Sequence, residues 1–195
     1  MGKTQIASNV AFPKFRRVMV FIDGENLVCR YQDTKSEGRD SHDNVCHKSN
    51  VYVWSPESIK IEGFYEIERA TLYTYISGDN KSVDSISNEI KALKFRPHLG
   101  SHLPEHLFPK VFWKPRGTKG KGVDIQLTVD VLTHAYRDNY DILYLISGDG
   151  DFKPLIEEAM RAGKQVYVAA LSSGLNPTLK LAADVFVNLD PYYFK

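Results

Sequence analysis

Four aspartates in distant parts of the 195-residue chain follow or adjoin apolar segments. Asp23 ends the run VMVFID, and Asp149 and Asp151 follow the run DILYLIS in the turn SGDGD. Asp124 opens an apolar segment directly after the glycine-rich stretch KPRGTKGKG. Carboxylates gathered at one place repel one another unless a cation compensates their charge. Oxygen ligands of this type favour Mg²⁺ or Mn²⁺. These ions can activate a water molecule for attack on the phosphorus of a phosphodiester bond.

Polar and basic residues near these acids are candidates for holding a substrate. Asn26 comes three residues after Asp23, where its side chain would contact a phosphate or cap a helix. Ser147 opens the acidic turn and is also expected to contact substrate. A basic group before Asp124 would neutralise phosphates, or would form an ordinary solvated loop. Its members are Lys114, Arg116, Lys119 and Lys121.

Simpler roles remain open for several acids. Asp149 or Asp151 would serve as a helix cap, although one cap needs only one aspartate. Asp130 shares a predicted helix face with Gln126 and His134, which indicates a solvated or supporting role.

Other residue types give weaker signals. Trp113, Tyr31 and Tyr75 are candidates for stacking on unpaired bases, although aromatic residues at strand ends more often pack in a core. Glu25 is expected to point to solvent. Two groups of histidine and cysteine are weak zinc candidates. Gly100 and Pro104 interrupt the helix that the first group would need, and the spacing of the second matches no familiar zinc finger, so we expect no zinc there. The two groups are His98, His102 and His106, and Cys29, His42, Cys46 and His47.

Alternating strands and helices must position these residues. Buried strands are predicted at 18–23, 68–77, 111–114, 141–147, 164–171 and 185–189. Helices are predicted at 24–32, 81–94, 123–138, 153–163 and 175–184. The alternation predicts an α/β fold with a mainly parallel central sheet. Ligands of such sheets bind beyond the carboxyl ends of the strands, where the four aspartates are predicted.

Length and composition predict an N-terminal arm at 1–15 and a single domain at 16–195, with a polar insertion at about 32–60. The net charge of +1 means that a polyanion would be held by a local patch. Two cysteines in the whole chain predict free thiols and a cytoplasmic location. No run approaches the roughly 18 apolar residues of a membrane span, so no membrane contact is expected.

Four segments resemble the NYN domain family, and more narrowly its LabA-like branch. They are VFIDGENL, KGVDIQLTVDVL, LYLISGDGDFKPLIEEAMRAGKQVYV and LKLAADVFVNL. The resemblance covers roughly residues 16–30 and 68–190, with three acidic motifs in the family's order. The family is grouped with the PIN and FLAP-type nucleases.

The resemblance implies a PIN-like Rossmannoid fold of three layers, α/β/α, with a divalent metal site and ribonuclease activity. Asn26 matches the family's asparagine in the first motif, and Asp130 matches an acid often found in the second. The insertion at about 32–60 is longer than the family's plain first connection, so it is a candidate lid, specificity loop or partner surface. The residues that correspond to the family's metal-binding acids are Asp23, Asp124, Asp149 and Asp151.

The sequence therefore predicts an Mg²⁺- or Mn²⁺-dependent endoribonuclease acting on single-stranded or looped RNA. Water would attack, leaving a 5′-phosphate and a 3′-hydroxyl. The alternatives are an RNA-binding scaffold without turnover, a metal-dependent phosphatase or nucleotide hydrolase, and a receiver-like signalling domain. A small substrate would not need the basic loop, so neutralising that loop separates a nucleotide hydrolase from a ribonuclease. A second copy of the chain or a protein partner would dock through the insertion.

Overall fold

The central element of the computed structural model is a parallel β-sheet. The structure describes residues 15–77, 80–96, 105–114 and 122–195. Within these residues the sheet has six strands, and two further strands pair as an antiparallel hairpin. The sheet strands are β1 (Arg16–Asp23), β4 (Tyr65–Ser77), β5 (Leu107–Lys114), β6 (Ile142–Ile146), β7 (Gln165–Ala170) and β8 (Val185–Asn188). The hairpin strands are β2 (Cys46–Lys48) and β3 (Tyr52–Trp54).

Helices flank the sheet. They are α1 (Gly24–Ser36), α2 (Asn80–Ala92), α3 (Val123–Tyr136), α4 (Lys153–Arg161), α5 (Pro177–Ala182) and α6 (Asp190–Tyr193). The strand order is β5-β4-β1-β6-β7-β8, and every pairing in this sheet is parallel. The predicted α/β fold with a mainly parallel central sheet is confirmed.

Both faces of the sheet are buried, which explains why its strands lack polar alternation. Along β1, Val18, Val20 and Ile22 pack into one apolar cluster, with residues of α1, α2 and the hairpin. Met19 and Phe21 point to the opposite face and pack into a second cluster, with residues of α3, α4 and α5. Successive side chains of a strand alternate between faces, so one continuous apolar run supplies both cores.

The chain reverses its direction across the sheet between β1 and β6. From β1 the chain continues to β4 and β5 on one side, and it returns through α3 to β6, β7 and β8 on the other. The carboxyl ends of β1 and β6 therefore flank a topological switch point, the usual ligand site of open α/β sheets.

The segment predicted as a polar insertion contains regular structure. Helix α1 extends into it as far as Ser36, and the hairpin β2–β3 follows. Trp54 is fully buried, and its indole N–H donates to the carbonyl of Lys94 at 2.8 Å. The hydroxyls of Ser58 and Tyr193 lie 2.7 Å apart, joining the segment to the C-terminal helix. Its apolar side chains thus belong to the chain's own core.

Outside this segment, the largest differences from the prediction are in β5 and α6, while β4 begins three residues earlier than predicted. Strand β5 begins at Leu107, four residues earlier than predicted, and includes Pro109, which an edge strand tolerates because one side of it carries no ladder hydrogen bonds. Helix α6 has no periodic apolar pattern and was not predicted. None of the helices in the described part of the chain is long and apolar enough to span a membrane.

Candidate active site at the switch point

Asp23 lies at the end of β1 and caps the N-terminus of α1. Its side chain is buried, with 3% of the residue exposed. One carboxylate oxygen accepts a hydrogen bond from the Asn26 N–H at 3.0 Å, and the other accepts from the Ser147 hydroxyl at 2.9 Å. Gly24 permits this helix start, because a Cβ there would lie 2.7 Å from the carbonyl oxygen of Tyr73.

The turn after β6 presents the second acidic group. Asp149 accepts a hydrogen bond from the Asp151 N–H at 3.0 Å and caps a single 3₁₀ turn, Gly150–Phe152. The capping role weighed for one of these aspartates is therefore filled by Asp149. Its neighbour Asp151 is exposed, and a cap does not account for it.

Ser147 and Asn26 hold the two strand ends together. The buried Ser147 hydroxyl donates to Asp23 and accepts from the Asp149 N–H at 3.1 Å. The Asn26 side-chain oxygen accepts from the Gly148 N–H at 2.9 Å, so Asn26 is not the cap of α1. This placement lets Ser147 position both acids, and a substrate contact by Ser147 stays a prediction. A substrate contact by Asn26 stays a prediction.

Asp124 lies in the first turn of α3 and faces the same rim. Gly122, with φ of +116°, precedes the helix, and no side chain caps it. Partial burial, Asp149 and Asp151 all raise the pKa of Asp124 above its ordinary value. An acid at a helix N-terminus is favoured by the helix dipole, so its raised pKa reflects the neighbouring carboxylates and lost solvation.

Electrostatic coupling joins the acids of all three segments. Burial raises the pKa of Asp23 to about 7 against the opposing hydrogen bonds from Asn26 and Ser147, and Asp124 and Asp149 raise it further. The structure therefore brings Asp23, Asp124 and Asp149 to one rim, with Asp151 facing Asp124. Their combined negative charge lacks a compensating cation among the interactions that set these pKa values.

The acids do not form a closed ligand cage. Among the residues with described positions, no three His, Cys, Asp or Glu side chains are arranged so that they could hold a metal ion together. The donor set nevertheless fits Mg²⁺ or Mn²⁺, because it consists of hard carboxylate oxygens. Mg²⁺ is usually held by only one or two carboxylates and keeps several waters, so three converging carboxylates are not required.

Asp130 belongs to a hydrogen-bond network that joins α3, β4 and β5. Its carboxylate accepts hydrogen bonds from the Tyr73 hydroxyl at 2.6 Å, from the Gln126 amide at 2.9 Å and from the Lys110 ammonium. Burial disfavours ionisation, yet these donors hold the pKa of Asp130 below its ordinary value. These contacts hold α3 against β4 and β5, and a supporting role of Asp130 at the site stays a prediction.

Glu25, Tyr75 and Lys114 form a polar wall beside the acids that sequence reasoning missed. Glu25 was expected in solvent, but it is half-buried and accepts a hydrogen bond from the Tyr75 hydroxyl. The Lys114 ammonium lies 3.0 Å from the centroid of the Tyr75 ring. No local pattern marks Glu25, because its partner lies fifty residues away on β4.

The remaining candidates have mixed outcomes. Tyr31 is buried against Phe194, so its stacking on a base is excluded, whereas Trp113 is 49% exposed on β5. Cys29 and Cys46 are free thiols. Five of the residues singled out from the sequence lie outside the described ranges: His98, His102, Arg116, Lys119 and Lys121.

A parallel sheet between helix layers, with acidic side chains at its switch point, is the architecture of the PIN-like nuclease superfamily. The family model of the NYN domain matches residues 17–190, and the chain belongs to that family. The LabA-like branch stays a prediction. A crystal structure of a protein of unknown function from Vibrio parahaemolyticus is similar in fold, with a TM-score of 0.56 at 20% identity over 94% of this chain and 99% of that chain. No curated protein matches the chain.

Proposed function

We propose that the chain is a divalent-metal-dependent endoribonuclease that hydrolyses phosphodiester bonds of single-stranded or looped RNA. One observation supports this most strongly: acids from three distant segments interact electrostatically at one rim. Burial and then Asp124 and Asp149 raise the pKa of Asp23, and burial, Asp149 and Asp151 raise the pKa of Asp124. A group of carboxylates at the ligand-binding edge of a parallel sheet is suited to a cation and to the phosphate that the cation would hold.

In this proposal the acids divide the work. One or two of Asp23, Asp124 and Asp149 would hold Mg²⁺ or Mn²⁺ directly and the rest would hold its bound waters, while Asp151 would bind the ion or orient the attacking water. When bound, the cation would polarise the phosphoryl group and activate a water. Ser147 and Asn26 fix the two strand ends, and Asp130 fixes α3. The basic residues predicted to neutralise phosphates are Arg116, Lys119 and Lys121.

No protein nucleophile is needed. Burial and the neighbouring Glu25 raise the pKa of the Cys29 thiol, which disfavours a thiolate beside the site. Attack by water rather than by the 2′-hydroxyl leaves a 5′-phosphate and a 3′-hydroxyl. We also propose a reducing, cytoplasmic environment, which would preserve the free thiols of Cys29 and Cys46.

The test is cleavage of end-labelled RNA and DNA of the same sequence in Mg²⁺, in Mn²⁺ and in EDTA. Wild type is compared with Asp149→Asn and with Asp43→Asn, a matched control whose exposed carboxylate pairs with Lys195. We expect RNA cleavage in metal that falls at least about 100-fold in Asp149→Asn, on the scale of losing one electrostatic stabiliser, and that is unchanged in Asp43→Asn. Products should carry a 5′-phosphate, detected with an exonuclease that requires it.

Cleavage that persists in EDTA or in Asp149→Asn would contradict the proposal. Tight RNA binding without cleavage in any metal would indicate a scaffold module instead. Hydrolysis of nucleoside triphosphates with RNA left intact would indicate a nucleotide hydrolase.

A further inference from the structure

A cavity of about 450 Å³ lies beside the acidic rim, between α1, the turn of the hairpin β2–β3 and the carboxyl ends of β4 and β5. Its size falls within the range of about 300–1,000 Å³ typical of small-molecule sites. Its lining includes Glu25, Cys29, Asn50, Val51, Tyr75 and Lys114. The proposed cleavage chemistry uses none of them.

The lining combines apolar walls with polar groups. Val28, Val51 and Ile76 contribute aliphatic surface, while Asn50 and Ser77 contribute an amide and a hydroxyl. A flat heteroaromatic ring with hydrogen-bonding edges has the matching chemistry: its faces need apolar contact and its edge needs donors and acceptors. Among the components of RNA, only the nucleobase has this character.

The hairpin wall of the cavity is fixed before any ligand binds. The backbone N–H of Asn50 donates to the side-chain oxygen of Gln32 on α1 at 2.8 Å, and the amide of Gln32 donates back to the side chain of Asn50 at 2.9 Å. Asn50 itself has φ of +56°, which fixes the turn in a left-handed conformation. A wall held this way loses little conformational freedom on binding.

One polar wall is shared by the cavity and the acidic rim. Glu25 lines the cavity and follows Asp23 by only two residues. It accepts a hydrogen bond from the Tyr75 hydroxyl, and the Lys114 ammonium covers the Tyr75 ring. A nucleotide with its phosphate at the acids therefore has a cavity for its base on the adjoining side, with a cation between them.

We propose that this cavity is a subsite for one unpaired nucleobase next to the scissile phosphate. The proposal rests on the ribonuclease function proposed above and adds a site that would determine which RNA is cleaved. The base lies against Val51 and the side of the cavity formed by β4, with Asn50 at its polar edge. The hairpin, which is the segment longer than the family's plain first connection, then selects RNA that offers an unstacked base at a fixed distance from the cut.

The first experiment fills the cavity. Cys29→Trp introduces a large side chain from the exposed side of α1, and Cys46→Trp introduces the same side chain on β2, outside the cavity lining. Each is assayed on RNA oligonucleotides with one abasic site moved stepwise along the chain. Wild type and Cys46→Trp should cleave about 10-fold less efficiently when the abasic site falls at one fixed position from the cut, corresponding to about 1.4 kcal/mol of lost base contact.

Cys29→Trp should cleave the intact oligonucleotide about 10-fold less efficiently, through KM, and should lose the dependence on the abasic site while remaining inhibited by EDTA. Unchanged KM and an unchanged abasic profile in a folded Cys29→Trp protein, with normal cleavage, would overturn the subsite and leave the ribonuclease function standing. Circular dichroism and a thermal melt establish that the variant is folded.

The second experiment needs no bulky substitution. In a Cys46→Ser, Asp149→Asn chain, Cys29 is the remaining thiol, and a bound oligonucleotide should slow its alkylation by a maleimide at least about 10-fold. The oligonucleotide with the critical abasic site should protect much less. Equal alkylation with and without saturating RNA would overturn the subsite. If wild type cleaves no RNA in any metal, the proposed function fails, and this protection assay still decides the subsite.

Discussion

The substitution Asp23→Asn should stabilise the metal-free protein while abolishing cleavage. Asp23 is buried and its pKa is raised to about 7, mainly by burial and further by Asp124 and Asp149. A folded-state pKa above the unfolded value means that the folded protein holds the proton to higher pH. The contribution of Asp23 to the free energy of unfolding is therefore greatest below about pH 4, and it falls as pH rises from about 4 through about 7. Asparagine has no charge to desolvate, so the variant should not lose this free energy of unfolding as the pH rises.

The magnitude follows from the two pKa values. The difference between 3.8 and about 7 corresponds to about 4 kcal/mol of stability lost above neutral pH. Asparagine still offers one oxygen to the Asn26 N–H, but the Ser147 hydroxyl loses its carboxylate acceptor, at about 1–2 kcal/mol. We expect a net gain of about 2–3 kcal/mol near pH 8, and a loss of about 1–2 kcal/mol near pH 4.

The assay is urea denaturation of wild type and Asp23→Asn in EDTA at both pH values. It is repeated with Mg²⁺, which should stabilise wild type but not Asp23→Asn. At a hundred times its dissociation constant, Mg²⁺ should stabilise wild type by about 2.7 kcal/mol. Asp43→Asn is the control, since its exposed carboxylate has a pKa lowered by Lys195 and should gain nothing near pH 8. If Asp23→Asn lowers the free energy of unfolding equally at both pH values in EDTA, burial of the charged Asp23 carboxylate does not destabilise the folded protein. That result would refute the prediction.

Three further predictions concern the supports of the site. Asp130→Ala leaves a buried phenol and an ammonium unpaired, so stability should fall by about 2 kcal/mol and RNA cleavage should fall with it; unchanged urea midpoints would count against the network. Gly150→Ala places a Cβ 2.1 Å from the Asn176 amide and should lose about 1–3 kcal/mol, whereas Gly148→Ala, with its nearest contact at 3.4 Å, should lose clearly less. Equal losses would contradict that steric argument. Trp54→Ala should lose about 3–5 kcal/mol in thermal or urea unfolding, and a loss below about 1 kcal/mol would mean that the hairpin is not part of the core.

The sheet and most of its helices could be predicted because their signals are local. Apolar runs without polar alternation, such as residues 142–146, require burial on both faces, and only a parallel sheet between helices supplies it. The rim position of the acids follows from the same reasoning, since strand ends of a parallel sheet share one edge. Which acid pairs with which donor could not be predicted, because those donors come from other segments.

The insertion, in contrast, has no local sequence signal that predicts its structure. The segment at about 32–60 was predicted to be a polar insertion, yet Tyr52, Val53 and Trp54 are buried in the core. Three residues are too few for a periodic pattern, so their environment is set by packing against α1 and the C-terminal helix rather than by their own sequence. The helix face of Asp130 and the position of Glu25 beside Asp23 contain no information about their hydrogen-bond partners on β4 and β5.

The amino-acid sequence by itself determined that this chain forms a parallel α/β domain with aspartates at its strand ends, because hydrophobic periodicity and chain direction act within a few residues. Only the tertiary structure decided that Ser147 joins two of those aspartates, that Asp130 supports α3, and that a hairpin encloses a cavity beside the acids. Each of these depends on contacts between segments far apart along the chain, where distance and solvation, rather than residue type, determine what a side chain does.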